Sequence, residues 1–214
     1  MALPPPESFE DIYREFDAPP APFDCGAECA PKNGGIPFCC DPTEAVPVVY
    51  RTEWAFLKSR TDMWRPFRPR LTAERRMVEE THDDHRFVVC NGPSACDRPH
   101  RSISCRMFPF YPYLDNQGRL LGFVTNDILE GRCVLVGREE VVTPEFRREF
   151  LAFWRKIFAL HRTEHRFHVR YSQAIRRVRS RKKKPIVVIT EEGEFLMPFK
   201  LPSRHPIRVR KSRG

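Results

Sequence analysis

No stretch of this sequence approaches the ~20 consecutive apolar residues that a membrane-spanning helix needs, so no transmembrane span is expected. Its opening residues, MALPPPESFEDIYREFDAPPAPFD, are acidic and proline-rich, with neither the basic start nor the apolar stretch of a secretory signal. A cytoplasmic location is the expectation. Also missing are a Gly-rich phosphate loop, a dinucleotide fingerprint and a zinc-protease helix motif, which leaves those chemistries without their usual signatures. Glycine is scarce, 10 residues of 214 against 21 prolines, so bends set by proline rings outnumber flexible ones. No internal repeat is visible, and the length suits one main domain with extensions.

Cysteine, by contrast, is plentiful, with eight residues. In a reducing compartment four disulfides are not expected, and the thiols point instead to metal ligation or redox chemistry. Cys25, Cys29, Cys39 and Cys40 crowd into APFDCGAECAPKNGGIPFCCDP; Cys90, Cys96 and Cys105 follow within another short span, and Cys133 comes 28 residues later. Thiolates are the usual ligands of tetrahedral zinc and of iron–sulfur clusters, each commonly held by four sulfurs, so eight cysteines can fill two sites or one site with spares. Ordinary zinc fingers pair tight C-x(2–4)-C knuckles, and only Cys25 with Cys29 approaches one. In extended chain the adjacent Cys39 and Cys40 point to opposite sides, so the pair bridges two metal atoms, serves two sites or includes a non-ligand.

The net charge of +9 is uneven: residues 1–140 sum to −5 and residues 141–214 to +14. Such a basic third suits nucleic acid, an acidic protein or anionic lipid, although 29 Arg against 8 Lys shows that a general bias toward arginine explains part of it. RRVRSRKKK, residues 176–184, reads equally as a phosphate-binding run and as a solvated helix face.

Apolar periodicity places a short helix over residues 7–16 through Phe9, Ile12 and Phe16, a strand at VPVVY and a helix at RTEWAFLKSR with Trp54, Leu57 and Ala55 inward. LTAERRMVEETHDDH reads as a helix opened by Thr72, and RFVVC as a strand that delivers Cys90 to a loop. YPYLDNQGRLLGFVTN has the alternation of a hairpin with Gly118 in its turn. The clearest helix starts at Thr143 (N-cap), Pro144 and Glu145, with Phe146, Phe150, Phe153, Trp154, Ile157 and Leu160 as its core face. VRYSQAIRRVRSRKKK continues helically before Pro185, and PIVVIT, EFLMPFKL and RHPIRVRKSRG read as strands and a tail.

The expected fold is therefore α+β: a small loop-rich cysteine-cluster domain with short strands and a hairpin, then a long amphipathic helix and a basic C-terminal extension. Its divisions are an acidic Pro-rich segment with a short helix (1–22), the cysteine-cluster metal-binding domain (23–140), a helical basic segment packing on it (141–184), and short strands with a basic tail (185–214).

FDCGAECA…FCC, followed after a helix by CNGPSACDRPHRSISCRMFPF, resembles the YkgJ-like cysteine-cluster family, described as a zinc- or iron-chelating domain. Cys39-Cys40 match the family's pair, Cys96 and Cys105 its later cysteines, Arg98-Pro99 its Arg-Pro element, Arg106, Phe108 and Pro109 its closing piece, and Cys133 its final cysteine near a Gly-rich end. The likeness spans roughly residues 23–137; it departs from the family in the nine residues before the pair and in the closeness of Arg-Pro to Cys96. It implies metal binding, and taken with the spacing of the thiols it makes Cys25, Cys29, Cys39, Cys40, Cys90, Cys96, Cys105 and Cys133 the candidate ligands of a metal ion or cluster. A bound four-thiolate site carries about −2 and needs cations or donors nearby, for which Arg106 and Arg132 are placed in sequence. Phe23, Phe38, Phe108, Phe110, Tyr111 and Tyr113 can form a water-excluding shell, which favours an iron–sulfur cluster over zinc.

Of the seven histidines, His100 is the best metal alternative because it lies between Cys96 and Cys105. His161, His165 and His168 read as a solvated basic face, and His82 with His85 as a polar helix end. A cysteine nucleophile lacks a signature. Some relatives of the family belong to protein methylases, and for that role the chain is short and has no methyl-donor loop.

Overall fold

A computed structural model describes residues 8–197 and 207–208. Most of the expected basic tail, and the first seven residues of the acidic segment, lie outside the described residues. The fold is α+β with antiparallel sheets, and the chain divides into two compact units.

Among the described residues the first unit comprises 8–17, 23–108 and 132–134. Helix α1 (Ser8–Glu15) forms where Phe9, Ile12 and Phe16 repeat at helical spacing, and these three with Tyr13 are buried. It is followed by α2 (Cys25–Cys29), β1 (Val48–Tyr50), α3 (Arg51–Arg60), β2 (Trp64–Pro66), α4 (Thr72–Glu79), β3 (His85–Cys90) and α5 (Ile103–Met107). The three strands form a sheet in the order β1-β3-β2, all antiparallel, with Val49 opposite Arg86 and Trp64 opposite Cys90. The rings of Phe9, Tyr13, Tyr50 and Phe56 pack together, Tyr13 and Phe56 at 4.9 Å between centroids. Helix α3 does not turn Ala55 inward as expected; it buries Glu53, Phe56 and Leu57, leaving Trp54 half-buried and Ala55 exposed. The α1 rings meet α3 at Phe56, and Glu53 is held inside by backbone and phenol donors. Helix α4 opens at Thr72 as expected, and the Glu74 carboxylate accepts from the Arg70 and Leu71 amides and closes that end.

Among the described residues the second unit comprises 18–22, 109–131, 135–197 and 207–208. Strands β4 (Phe110–Leu114), β5 (Leu120–Thr125), β6 (Ile186–Ile189), β7 (Glu194–Met197) and β8 (Ile207–Arg208) lie in sequence order in one antiparallel sheet. The expected hairpin joins β4 to β5. Asp115 accepts from the Gln117 and Arg119 amides, and Gly118 takes φ 80°, the left-handed region open to glycine. Gly122 is required for a different reason: a Cβ there would lie 2.3 Å from the Ile189 carbonyl oxygen on β6.

Helix α6 (Pro144–Leu160) begins as expected, with Thr143 Oγ1 accepting from the Phe146 amide at 3.2 Å. Phe146, Phe150, Leu151, Phe153, Trp154 and Ile157 are buried. Phe123 of β5 meets Phe150 at 4.5 Å, and Phe110 meets Phe146 at 5.4 Å. Leu160, expected on that face, is 49% exposed because the helix ends there: His161 leaves helical geometry at φ −122°, ψ 92°. Helix α7 (Arg162–Arg181) then starts anew. It is tied to the end of β4, where the ladder register shifts between Tyr113 and Leu114. The Leu114 amide donates to Ser172 Oγ at 3.0 Å, and its carbonyl accepts from Arg176 Nη1 at 2.6 Å. Two α7 side chains thus satisfy backbone groups at the bulge.

Candidate metal centre

All eight cysteines fall within the first unit, none in a disulfide. Short elements hold them. Asp24 caps α2 by accepting from the Gly26 and Ala27 amides, which places Cys25 and Cys29 at its two ends. A 3-10 turn over Phe38–Cys40 curls the adjacent pair out of the extended geometry that would point the thiols apart, and their sulfurs lie 4.0 Å from each other. Strand β3 delivers Cys90, a 3-10 turn over Pro93–Ala95 leads to Cys96, and Ser102 caps α5 by accepting from the Cys105 amide. Cys133 arrives on residues 132–134, where the Arg132 guanidinium pairs with Glu44 at 2.8 Å and covers the Phe38 ring at 5.4 Å.

The thiols are close enough to shift one another. Burial pushes Cys105 up to about 12, partly offset by its hydrogen bond with Ser102, and Cys90, Cys40 and Cys96 add to the rise. Burial likewise raises Cys25 to about 11, with Cys133, Cys29 and Asp24 contributing. Cys39 is raised chiefly because its S–H is shared with Cys40, whose own thiol is lowered by that bond and by Arg101. Cys39 also feels Cys105 and Cys25, so this chain of influences touches every one of the eight.

A cation that reaches a thiol is Arg101, which sequence reasoning missed. Its Nε lies 3.0 Å from Cys96 Sγ, and although burial works against its charge, Cys96, Cys40 and Cys105 raise its pKa. Arg106, expected to face the thiols from its place beside Cys105, points elsewhere: its guanidinium donates to the carbonyls of Tyr13, Phe16 and Pro99 and lies 4.4 Å from the Tyr13 ring centre. Helical geometry explains the difference, since neighbours in α5 diverge by about 100°. A second missed residue is Glu53, 1% exposed, which accepts from Tyr13 Oη at 2.7 Å, the Ile103 amide at 2.8 Å and the Tyr50 amide at 3.2 Å. It ties α1 and β1 to the first residue of α5, the helix that carries Cys105.

The expected aromatic shell divides. Phe23, Phe38 and Phe108 lie in the cysteine-bearing unit, whereas Phe110, Tyr111 and Tyr113 belong to the other unit's sheet. His100 Nδ1 is engaged by Asp97 at 2.6 Å. His161 and His168 are both 5% exposed, so the solvated-face reading fails for them; His168 packs 4.5 Å from Trp154 and 3.6 Å from Glu164. His82 is exposed after α4, and His85 opens β3 against Tyr50.

Among the described residues no three His, Cys, Asp or Glu side chains are arranged as a ready metal cage. The donor chemistry nonetheless suits a soft or borderline metal, because the gathered atoms are sulfur. A Zn–S bond of about 2.3 Å implies tetrahedral S···S edges of about 3.8 Å, close to the separation of the vicinal pair. Comparison with protein-family models, curated proteins and solved structures gives no match to this chain. Among the described residues no helix is long and apolar enough to cross a membrane.

Proposed function

We propose that this protein is a cysteine-cluster metal-binding protein, with thiolates drawn from Cys25, Cys29, Cys39, Cys40, Cys90, Cys96, Cys105 and Cys133 holding an iron–sulfur cluster, or zinc as the alternative the same donors admit. The reading rests on the convergence of eight cysteines, none in a disulfide, from separate segments into one unit. Arg101 supports it, since a thiolate-rich centre needs a neighbouring donor and cation. So does the scarcity of core in the cysteine-bearing loops: from residue 23 to 47 only Cys29 and Phe38 are buried, and none is buried from 91 to 101. Segments with so little apolar burial gain order from a ligand that pulls them together, and the metal's binding free energy becomes folding free energy. On this reading the centre is structural, and it becomes a redox centre if the metal is iron.

The test is anaerobic purification followed by elemental analysis, acid-labile sulfide assay and a visible spectrum. Iron with sulfide and a broad visible band is the expected result. Colourless protein containing zinc selects the alternative, and folded protein free of metal overturns both.

A further inference from the structure

The feature the metal reading leaves unused is the outer face of α7. Its exposed arginines are Arg162, Arg166, Arg170, Arg177 and Arg181. At 100° per residue these steps of four, four, seven and four keep all five within an arc of about 100°, a stripe about 28 Å long. Among the described residues, exposed arginines elsewhere in this unit are paired, as Arg119 is with Asp115, Arg148 with Glu145 and Arg155 with Glu191. The five on the stripe have no acidic partner among the described residues, and the helix's one acid, Glu164, is 13% exposed and faces His168. Lys182, Lys183 and Lys184 extend the same charge beyond the helix end, and all three are exposed.

Two further observations specify what such a stripe fits. Phe167, between Arg166 and Arg170, is 58% exposed and lies parallel to Tyr171, with ring centres 6.2 Å apart and planes 10° apart. An exposed aromatic flanked by arginines is a platform on which a base can stack, and stacking needs no particular base. Beside it, the hairpin turn Asn116–Gly118 and the α7 residues Arg166, Arg170 and Gln173 line an open groove of about 340 Å³. Arg176, Ser172 and His165, whose Nε2 lies 2.7 Å from the Gly118 carbonyl, hold α7 against this hairpin, so the stripe is presented on a fixed support.

We propose that this face binds single-stranded nucleic acid, with the five arginines on phosphates and Phe167 under a base. A lipid surface fits less well, because a membrane-lying helix immerses a broad apolar face, and here Phe167 and Val178 are the exposed large apolar residues of α7. A duplex offers no unstacked base to Phe167.

Fluorescence anisotropy with labelled single-stranded RNA and DNA oligonucleotides tests this, using the full chain, with duplex and polyglutamate as competitors. Five phosphate contacts predict a slope of log K against log salt of about −3.5 for single strands. Arg166→Gln combined with Arg170→Gln is expected to flatten that slope by about 1.4. Phe167→Ala is expected to weaken binding about tenfold while leaving the slope unchanged, since stacking carries no counterion release. Circular dichroism and metal content serve as folding controls; the substituted side chains are exposed, so both are expected to stay constant. No binding at low salt overturns the proposal. Equal competition by polyglutamate or duplex, or an unchanged affinity in Phe167→Ala, overturns it as well, since each outcome reduces the face to a site for any polyanion.

Discussion

The two units of this chain reach order by different means. The second has a continuous aromatic core, in which Phe110, Phe123, Phe146, Phe150 and Trp154 interlock between a five-stranded sheet and α6. The first has a smaller ring cluster around Phe9, Tyr13 and Phe56, and its loops are tied by polar anchors: Glu53 with three donors, and Arg106 with a set of carbonyls. Apolar burial is roughly additive and tolerant of detail, whereas a buried charge is stable only if every partner is in place. The first unit is therefore the one whose order depends on specific polar groups, Glu53 and Arg106 first among them.

On the proposed metal-binding reading, the largest effect expected to sharpen this contrast comes from removing the thiolate ligands. Substituting Cys40→Ser with Cys105→Ser should abolish metal binding and lower amide-exchange protection in α2 and α5 by about a thousandfold or more, given the ~10–16 kcal/mol that structural zinc contributes to small folds. Protection in β5 and α6 should hold; a parallel loss in both units would break the comparison.

Next in size, Phe123→Ala should cost about 3–5 kcal/mol, because it empties the centre of the second unit's core. Denaturant titration measures the loss, and metal content should not change. Glu53→Gln should cost about 1–3 kcal/mol, since the amide turns an N–H toward at least one of three buried donors. Its effect should appear in α1, β1 and α5, and metal affinity should fall with it. An effect confined to α3 would mean that Glu53 does not position the Cys105 helix.

The smallest expected effect is on alkaline stability. Burial, with Glu53 adding to it, raises Tyr13 well above its ordinary value of 10.0. A group whose folded pKa is raised contributes stability that is complete below the unfolded value and lost as pH rises past it. Protection in the first unit should therefore decline above pH 10, and Tyr13→Phe should flatten that decline. Tyr111 and Tyr113 are raised by burial too, partly offset by Asn126 and Arg176 respectively, so the second unit keeps its own alkaline slope in the variant. Exchange measured at stepped pH separates the two.

What was legible in the sequence follows from local physics. The start of α6 could be read from Thr143, Pro144 and Glu145 because a cap is a contact within one turn. Most of its buried face could be read from periodicity, and the 116–118 turn from its glycine. Leu160 was misassigned because a helix end depends on where the next segment goes. His161 and His168 were misassigned because spacing reports that residues share a face, and only the packed neighbours decide whether that face is wet. In the same way, the exposure of the five-arginine stripe depended on which face of α7 the hairpin covers.

By itself the sequence determined the inventory: eight thiols clustered in a few short segments, a basic C-terminal third and two amphipathic helices whose periodicity holds in any context. The tertiary structure decided direction. Arg106 follows Cys105 in the chain yet turns to the carbonyls of Tyr13, Phe16 and Pro99, and Arg101, five residues from Cys96, is a cation that reaches sulfur. The reason is that side chains along a helix or turn diverge by a fixed angle per residue, so proximity in sequence sets the length of a tether, and only the packing of distant segments sets where its end arrives.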